Sequence, residues 1–415
     1  MRRFLIYLAL ALLAASPAMY LRVDGLRPNP LLDAGVFGLA ILAAGFILSW
    51  GAEAAESRVS QGLMLAGLAL VTVLPEYAID LYYAFQAGRA PGSDYVHYAA
   101  ANMTGANRLL VGFAWPMIIF LNWWKRRGRS VDLLHSNRIE LFCLLLASAY
   151  AFVILFKNRI DIFDFAALLA IFGGYLWTVA RLPKRKDGAT DEDDDDEPEL
   201  GPAAILETLG PRAQWVWTGA LTLIAGTIIL LSAQPFAESM VNSGRALGVD
   251  EFLLIQWVAP LTGESPEILL AILFVLAGRP GTGLVAMISD KINQWTLLVG
   301  ALPVAMSVGA GSLVALPLSA RQHEEFFLTA AQSLFGISLL LRLRLTLGGA
   351  ALLLGLFGMQ VTLAFMLQHN AAREVAALTI LAWVYLLLAG FLFVREAPAL
   401  IKRWRSSSTS NRAVD

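Results

Sequence analysis

The chain is poor in the residues that build disulfide frameworks and zinc sites. It contains 1 cysteine and 4 histidines in 415 residues. The lone Cys143 excludes an internal disulfide, and the four histidines are too dispersed to form a zinc cluster. Charged residues make up only 15% of the chain, against roughly 25% in an ordinary soluble domain. This low charge content argues against a soluble fold.

The charges that are present nearly cancel. The 31 Lys and Arg residues and the 32 Asp and Glu residues give a net charge of −1, so no basic surplus indicates a nucleic acid partner. The sequence also lacks a nucleotide-binding loop, a nucleophile elbow and an HExxH motif, so we expect neither an enzyme nor a bound cofactor. The expected partner of the chain is the lipid bilayer.

Hydrophobic residues make up 58% of the chain and are concentrated in long runs. A membrane-spanning helix needs about 20 mostly apolar residues. The candidate spans are 3–20, 34–55, 60–86, 95–124, 139–157, 161–181, 213–233, 249–277, 283–309, 324–341, 346–368 and 373–395. These runs are continuous and do not alternate every second residue, which argues against an outer-membrane β-barrel. The sequence predicts an all-α integral membrane protein with 10–12 transmembrane helices.

The distribution of basic residues predicts an orientation. If the N-terminus is cytoplasmic and each span crosses once, 21 of the 31 Lys and Arg residues lie on the inside and 8 on the outside. The positive-inside rule then predicts a multi-pass protein of the cell membrane, inner or plasma, with both termini in the cytoplasm. The two remaining basic residues, Arg108 and Lys291, lie within predicted spans.

A polar linker at 182–212 divides the chain. It contains the basic triplet 184–186 and an acidic run at 191–197. The acidic residues are consecutive and lack the spaced ligands and turn glycine of a calcium loop, so we expect a solvated cytoplasmic connector. The division predicts two halves, 34–181 and 213–368. Two end segments flank them: 1–33 is an extra helix or a cleaved signal sequence, and 369–415 is an extra helix with a basic tail.

The two halves contain a repeat. Pro75-Glu76 in the first half and Pro266-Glu267 in the second each lie in a predicted span, which is followed by a turn containing glycine. The next span of each half carries a central asparagine, Asn107 or Asn293, before a Leu-Val-Gly sequence. In the predicted topology the first Pro-Glu span runs outward and the second inward. Inverted repeats with interrupted helices are typical of secondary transporters, whose substrate site lies near the membrane midplane.

Polar residues within the predicted spans are functional candidates, because a charged group in hydrocarbon costs a few kcal/mol on insertion scales. Glu76 and Asp80 lie on one helical face, as do Glu264 and Glu267. A third face carries Ser289, Asp290 and Asn293. Carboxylate, hydroxyl and amide oxygens suit hard cations such as Na⁺ or Ca²⁺ and do not suit soft metals.

These motifs resemble the two α-repeats of the sodium/calcium exchanger family, which belongs to the calcium/cation antiporter superfamily. The resemblance is to a bacterial-type integral membrane protein. That family has two inverted five-helix halves, and its repeat reads approximately G-T-S-L-P-E and then G-S-N-x-x-N. The resemblance implies antiport of Ca²⁺ or a similar inorganic cation against Na⁺ or H⁺ by alternating access. The ion-binding residues that it implies are Glu76, Glu267, Asn107, Asn293, Ser289 and Thr72, with Asp290, Glu264 and Asp80 as further candidates and Asn102 and Thr104 in reserve.

The sequence departs from the family pattern at four positions. Val73 and Glu264 replace serines, and Arg108 and Lys291 have no counterpart. One alternative function is therefore a proton-coupled transporter of another solute with these two cations in its site. Another is a membrane protein that keeps the fold without transport. The carboxylates of Asp80, Glu264 and Asp290 also have an alternative role, which is to neutralise the two cations.

Overall fold

The structure is a computed structural model that describes residues 1–26, 29–55, 73–181 and 203–411. The predicted ion-binding residue Thr72 lies outside the described residues, as does the linker from 182 to 202. The described chain is almost entirely helical. The predicted all-α fold is therefore confirmed.

The first half of the chain forms a series of long helices. After α1 (Arg2–Asp24) follow α2 (Pro30–Ala55), α3 (Leu74–Arg89), α4 (Tyr95–Leu109), α5 (Trp115–Arg126), α6 (Arg138–Lys157) and α7 (Ile162–Ala180). A π-helical segment, Leu110–Ala114, joins α4 to α5 so that they form one span. A 3-10 turn at His135–Asn137 precedes α6.

The second half repeats this order. A 3-10 helix at Ala204–Thr208 precedes α8 (Pro211–Leu247), α9 (Glu251–Leu276), α10 (Pro280–Asn293), α11 (Val299–Ala310), α12 (Ala320–Leu339) and α13 (Leu347–Leu367), and α14 (Ala371–Asn411) ends the series. A second π-helical segment, Gln294–Leu298, joins α10 to α11. Each half therefore contributes five spans, with α1 and α14 as additions.

Ten helices of the described ranges are long and apolar enough to cross a membrane. Two further helices complete the predicted order of spans. The described part of α3 has 16 residues, and α12 has 20 residues with charged side chains among them. The number and order of spans therefore agree with the prediction.

The predicted interruption of the second Pro-Glu helix is wrong. Helix α9 continues through both Pro260 and Pro266. The ring of Pro266 packs against Gly45 of α2, where an added Cβ would lie 2.5 Å from Pro266 Cγ. Neighbouring helices can support a proline within a membrane helix in this way. Within the described residues of each half, the span that follows the Pro-Glu helix contains a π-helical segment.

Glycines allow the helices of the two halves to touch through their backbones. A Cβ added at Gly88 in α3 would lie 2.0 Å from the carbonyl oxygen of Met306 in α11. A Cβ added at Gly105 in α4 would lie 1.9 Å from the carbonyl oxygen of Gln256 in α9. Real Cβ atoms cannot approach so closely, so these crossings require glycine. They hold the Pro-Glu helix of each half against the asparagine-containing span of the other.

Two short strand pairs link loops at opposite ends of the bundle. Strand β1 (Ser130–Asp132) pairs antiparallel with β4 (Arg344–Thr346), and β2 (Arg159–Ile160) pairs with β3 (Leu316–Pro317). Paired strands must lie on the same side of the membrane. The orientation predicted from basic residues places both members of the first pair inside and both members of the second outside. We refer to these ends as the β1–β4 end and the β2–β3 end.

The two additional helices pack on the ten-helix core. Phe4 of α1 contacts the rings of Trp50 in α2 and Trp217 in α8, with centroid distances of 6.2 and 5.7 Å. Tyr385 of α14 lies 5.7 Å from the ring of Phe335 in α12. Helix α14 thus covers α12.

Candidate functional site

The carboxylate of Glu76 lies at the start of α3. Pro75 occupies the first turn of this helix, where its missing N–H and fixed φ are favourable. Glu76 follows in the same turn, where the helix dipole favours a negative charge. Its side chain is only 2% exposed. On α9, Glu264 and Glu267 are also buried and lie one turn apart.

Gln294 brings the carboxylates of the two halves together. Its Nε2 atom donates a hydrogen bond to Glu76 Oε2 at 3.0 Å and another to Glu264 Oε1. Gln294 begins the second π-helical segment, so three spans meet at this point. Sequence reasoning missed this residue, although its position one turn after Asp290 and directly after Asn293 was a usable signal. The Glu76–Gln294–Glu264 contact is the centre of the candidate site.

Gly263 makes room for the Glu76 side chain. A Cβ added at Gly263 would lie 2.9 Å from both Cγ and Oε1 of Glu76. A real Cβ at that distance would force Glu76 to move. The absence of a side chain at this one position of α9 therefore permits the approach of Glu76 to Glu264.

The two predicted asparagines have different partners. Asn293 Oδ1 accepts a hydrogen bond from the hydroxyl of Tyr77 at 3.0 Å, which joins α10 to α3. Asn107 Oδ1 accepts a hydrogen bond from Lys291 Nζ at 2.8 Å, and the Asn107 backbone carbonyl accepts another at 3.2 Å. The repeat is thus asymmetric. Both oxygens of Asn107 accept hydrogen bonds from a lysine, whereas Asn293 accepts one from a tyrosine.

Lys291 is a fully buried cation. Its ammonium lies 4.5 Å from the centre of the Trp295 ring, a favourable cation–π contact. Trp295 in turn stacks on Phe326 of α12 at 4.9 Å. Glu264 is the carboxylate that interacts electrostatically with this ammonium. Lys291 therefore places its amino group on one side of the site, in hydrogen-bond contact with Asn107.

Three other predicted ligands lie around the Glu76–Glu264 contact, and two of them have partners outside it. Ser289 Oγ lies 3.0 Å from the hydroxyl of Tyr175 in α7. Asp80 Oδ1 accepts a hydrogen bond from Asn102 Nδ2 at 2.9 Å, and both residues are fully buried. The carboxylate of Asp290 is buried near Glu264.

The reserve candidate Thr104 bonds within its own helix. Its hydroxyl donates to the carbonyl of Ala100 at 2.8 Å. Such a bond from a helical threonine is common and does not by itself indicate a ligand. The structure therefore places Asn102, but not Thr104, against a carboxylate.

Arg108 is not neutralised by the carboxylates proposed for it from the sequence. Its guanidinium forms an ion pair with Glu325 of α12, and its Cζ lies 5.1 Å from the centre of the Trp257 ring. Both charged side chains are buried, with exposures of 0% and 1%. Sequence reasoning missed Glu325, which lies at the very start of the predicted span 324–341.

Within the described ranges, no three Asp, Glu, His or Cys side chains are grouped closely enough to hold a metal ion by themselves. A cation at the Glu76–Glu264 contact would therefore need further oxygens from amide, hydroxyl or backbone groups. Ca²⁺ accepts such mixed oxygen ligands in flexible geometry.

Comparison with known proteins identifies the architecture. The family model described as "Sodium/calcium exchanger protein" matches residues 32–181 and 217–366, which cover both five-helix halves. The chain belongs to the sodium/calcium exchanger protein family. The helices α1 and α14 lie outside the matched residues. No curated protein matches the chain.

Solved structures agree with this assignment. The crystal structure of the H⁺/Ca²⁺ exchanger CAX has 35% sequence identity, covers 97% of each chain and gives a TM-score of 0.87. The structure of native YfkE has 13% identity, covers 88% of this chain and 99% of its own, and gives 0.60. The sodium-calcium exchanger NCX_Mj has 16% identity, covers 80% and 99%, and gives 0.53. The last two likenesses concern the fold alone.

The family assignment and the fold together define the class of protein. The chain is a multi-pass membrane protein and a secondary active cation antiporter that resembles the sodium/calcium exchangers. Its buried carboxylates lie on the inverted Pro-Glu helices.

Replacement of Gly263 by alanine should weaken cation binding without unfolding the protein. The added Cβ displaces the Glu76 side chain, which is flexible, and we expect a loss of affinity of about tenfold, equivalent to about 1.4 kcal/mol. The measurement is equilibrium binding of radioactive Ca²⁺ to purified protein. Gly226→Ala on α8 is the control, because an added Cβ there meets nothing within 4 Å. Equal affinities of the two variants would contradict the assigned role of Gly263.

Proposed function

We propose that this antiporter exchanges Ca²⁺ for protons. The observation that carries the proposal is the convergence of Glu76 and Glu264 on Gln294 Nε2. Two carboxylates so close together in a buried site repel each other unless their charge is neutralised. One Ca²⁺ or bound protons can provide that neutralisation, but both cannot do so together. Mutually exclusive occupancy of one site is the basis of antiport.

The sequence relationship supports the same choice of ions. The 35% identical structure that spans 97% of this chain is that of an H⁺/Ca²⁺ exchanger. The burial of Glu76 and Glu264, with exposures of 2% and 1%, supports an occluded state between the inward and outward openings. In this scheme the repeats tilt against each other and expose the carboxylates to each side in turn.

The remaining residues have graded roles in the proposal. Asn293 adds an amide oxygen, and Glu267, one turn after Glu264, adds negative charge near Glu76. Ser289 and Asp290 lie on the same span, and Thr72 stands four positions before Glu76 in the sequence. Asp80 and Asn107 are engaged by Asn102 and Lys291, so we assign them to the support of the site and not to direct ligation.

Neutral variants of the central carboxylates should abolish exchange. We expect that Glu76→Gln and Glu264→Gln each reduce Ca²⁺ uptake at least tenfold in proteoliposomes with an imposed pH gradient, because each removes a charge that must alternate between the two ions. Asp94→Asn, at an exposed helix start, is the control and should transport normally. Unchanged uptake in both glutamine variants would refute the site.

Exchange against Na⁺ is the second candidate, since the family includes sodium/calcium exchangers. Lys291 argues against it, because its ammonium already occupies both oxygens of Asn107. A fixed cation at an asparagine disfavours a second cation there by charge repulsion. We infer that Lys291 excludes Na⁺ from this side of the site.

Removal of the lysine charge should therefore introduce sodium sensitivity. We expect Na⁺ to have no effect on Ca²⁺ uptake by the parent protein and to compete with Ca²⁺ in Lys291→Gln. Lys125→Gln, at an exposed helix end, is the control. Thermal melting in detergent verifies that the variants remain folded. Sodium competition in the parent protein, or none in a folded Lys291→Gln, would contradict the assignment.

We also propose that the β1–β4 end faces the cytoplasm, together with both termini. The excess of basic residues on the loops of that end supports this orientation. Asp132 and Arg159 mark the two ends, with exposures of 66% and 60%. In intact cells, a membrane-impermeant maleimide should label Arg159→Cys and not Asp132→Cys. The buried native Cys143 should give little background. The reverse labelling pattern would invert the orientation.

A further inference from the structure

Helix α5 ends in exposed tryptophans and exposed cations at the β1–β4 end. Trp123 and Trp124 are 37% and 67% exposed, and the membrane span that contains them ends two residues later. Lys125, Arg127 and Arg129 follow and are exposed as well. Tryptophan is enriched where a membrane meets water, so this segment lies at the level of the lipid headgroups. We call these five residues the α5 basic surface.

The cations of the α5 basic surface lie beside its tryptophan rings. The Cζ atom of Arg127 is 5.7 Å from the centre of the Trp123 ring. The Nζ atom of Lys125 is 5.8 Å from the centre of the Trp124 ring. Cation–π attraction favours both arrangements. The surface therefore presents positive charge directly next to apolar rings.

The loop that carries the arginines is fixed by hydrogen bonds. Asn122 Nδ2 donates to the carbonyl of Ser130 at 3.3 Å, which folds the loop back onto α5. The backbone N–H of Leu347 donates to the carbonyl of Arg129 at 2.8 Å, next to the pairing of β1 with β4. A surface whose backbone is already ordered loses less conformational entropy when a partner binds.

The backbone of Arg127 is unusual for a residue with a side chain. Arg127 ends α5 in the left-handed conformation, with φ of 57°. Glycine is the usual residue at such a helix end, because L-residues adopt this conformation unfavourably. Here glycine stands one position later, at Gly128. An arginine retained at a position that suits glycine indicates that its side chain has a use.

The positive charge of the α5 basic surface is not neutralised by the protein. Within the described ranges, its three cations form no ion pair. Between positions 125 and 139 the sequence contains one acidic residue, Asp132. Its carboxylate is already paired with Arg344 at 2.9 Å. The surface thus has three positive charges available to an anionic partner.

We propose that the α5 basic surface binds the headgroup of an anionic phospholipid. Arg127 and Arg129 hold the phosphate, because the planar guanidinium fork matches phosphate oxygens. Trp123 and Trp124 contact the lipid chain next to the headgroup. A soluble anion would use the arginines alone, so the exposed tryptophans favour a lipid. The proposal does not depend on which ions the protein exchanges.

The loop after α5 also packs on the turn that follows the second Pro-Glu helix. The guanidinium of Arg126 lies directly over Gly278, and Gly281 approaches the carbonyl of Asp132. These contacts join the loop to the turn between α9 and α10. A lipid held by the α5 basic surface therefore braces both segments. Because it binds the folded protein, it should raise the melting temperature.

Native mass spectrometry of the full-length protein in detergent tests the proposal, with equal amounts of phosphatidylglycerol and phosphatidylcholine added. We expect the parent protein to retain phosphatidylglycerol in preference. The double variant Arg127→Gln with Arg129→Gln should lower the ratio of the two bound lipids about tenfold, because it removes two cations that attract the anionic headgroup.

A matched control removes the same charge from the opposite end. Arg89 and Arg373 are exposed arginines at the β2–β3 end, and Arg89 lies 5.9 Å from the ring of Phe85. The double variant Arg89→Gln with Arg373→Gln should keep the lipid ratio of the parent protein. An equal loss of preference in both double variants would mean that net charge alone attracts the lipid, and would overturn the proposal.

Thermal melting provides a second measurement that does not involve transport. Without added lipid, the parent protein and both double variants should melt at the same temperature, because the changed side chains are exposed. Phosphatidylglycerol should raise the melting temperature of the parent and the control, and have little effect on Arg127→Gln with Arg129→Gln. An equal increase in all three proteins would contradict the assigned role of the two arginines.

Two further outcomes would also overturn the proposal. A parent protein that retains both lipids equally has no anionic lipid site. Glycerol phosphate has the charge of the headgroup and no acyl chain. If it displaces phosphatidylglycerol at equal concentration, the surface is an anion site and not a lipid site.

Discussion

The repulsion between Glu76 and Glu264 is the constraint on which the rest of the site depends. The two carboxylates come from opposite halves of the chain and share a single amide donor in Gln294. Dielectric screening is much weaker in a buried environment than in water, so the repulsion between the two carboxylates is stronger there. In the function that we propose, a cation or protons therefore compensate the charge of the pair. Gly263 permits the close approach, and the crossing at Gly105 holds α4 against α9.

Departures from repeat symmetry are the basis of the ion selectivity that we propose. Both halves place a cation beside the central asparagine, but the two cations face different partners. Lys291 faces Asn107 and remains near the site, whereas Arg108 turns away to Glu325 on α12. The first cation adds charge to the transport site. The second creates a polar region behind it, where the buried surface of a membrane protein would otherwise be apolar.

Much of the fold could be predicted from the sequence, because a helix that spans a bilayer requires a long run of apolar residues. Hydropathy located the spans, and the repeated Pro-Glu pairs predicted Glu76 and Glu267 as site residues. The role of Gln294 could not be predicted, because the direction of its side chain depends on the π-helical segment that begins at this residue. The partner of Arg108 depends on the packing of α12 against α4, and no local pattern specifies that contact. The continuity of α9 through Pro266 depends in the same way on a neighbour, Gly45 of α2.

The central claim is that Ca²⁺ and protons compensate the same pair of carboxylates. The most direct measurement is the release of protons when Ca²⁺ binds to the purified protein in weakly buffered solution with a pH-indicator dye. The account predicts that Ca²⁺ releases at least one proton per protein and that Na⁺ releases none. Ca²⁺ binding without proton release, or proton release by Na⁺, would contradict it.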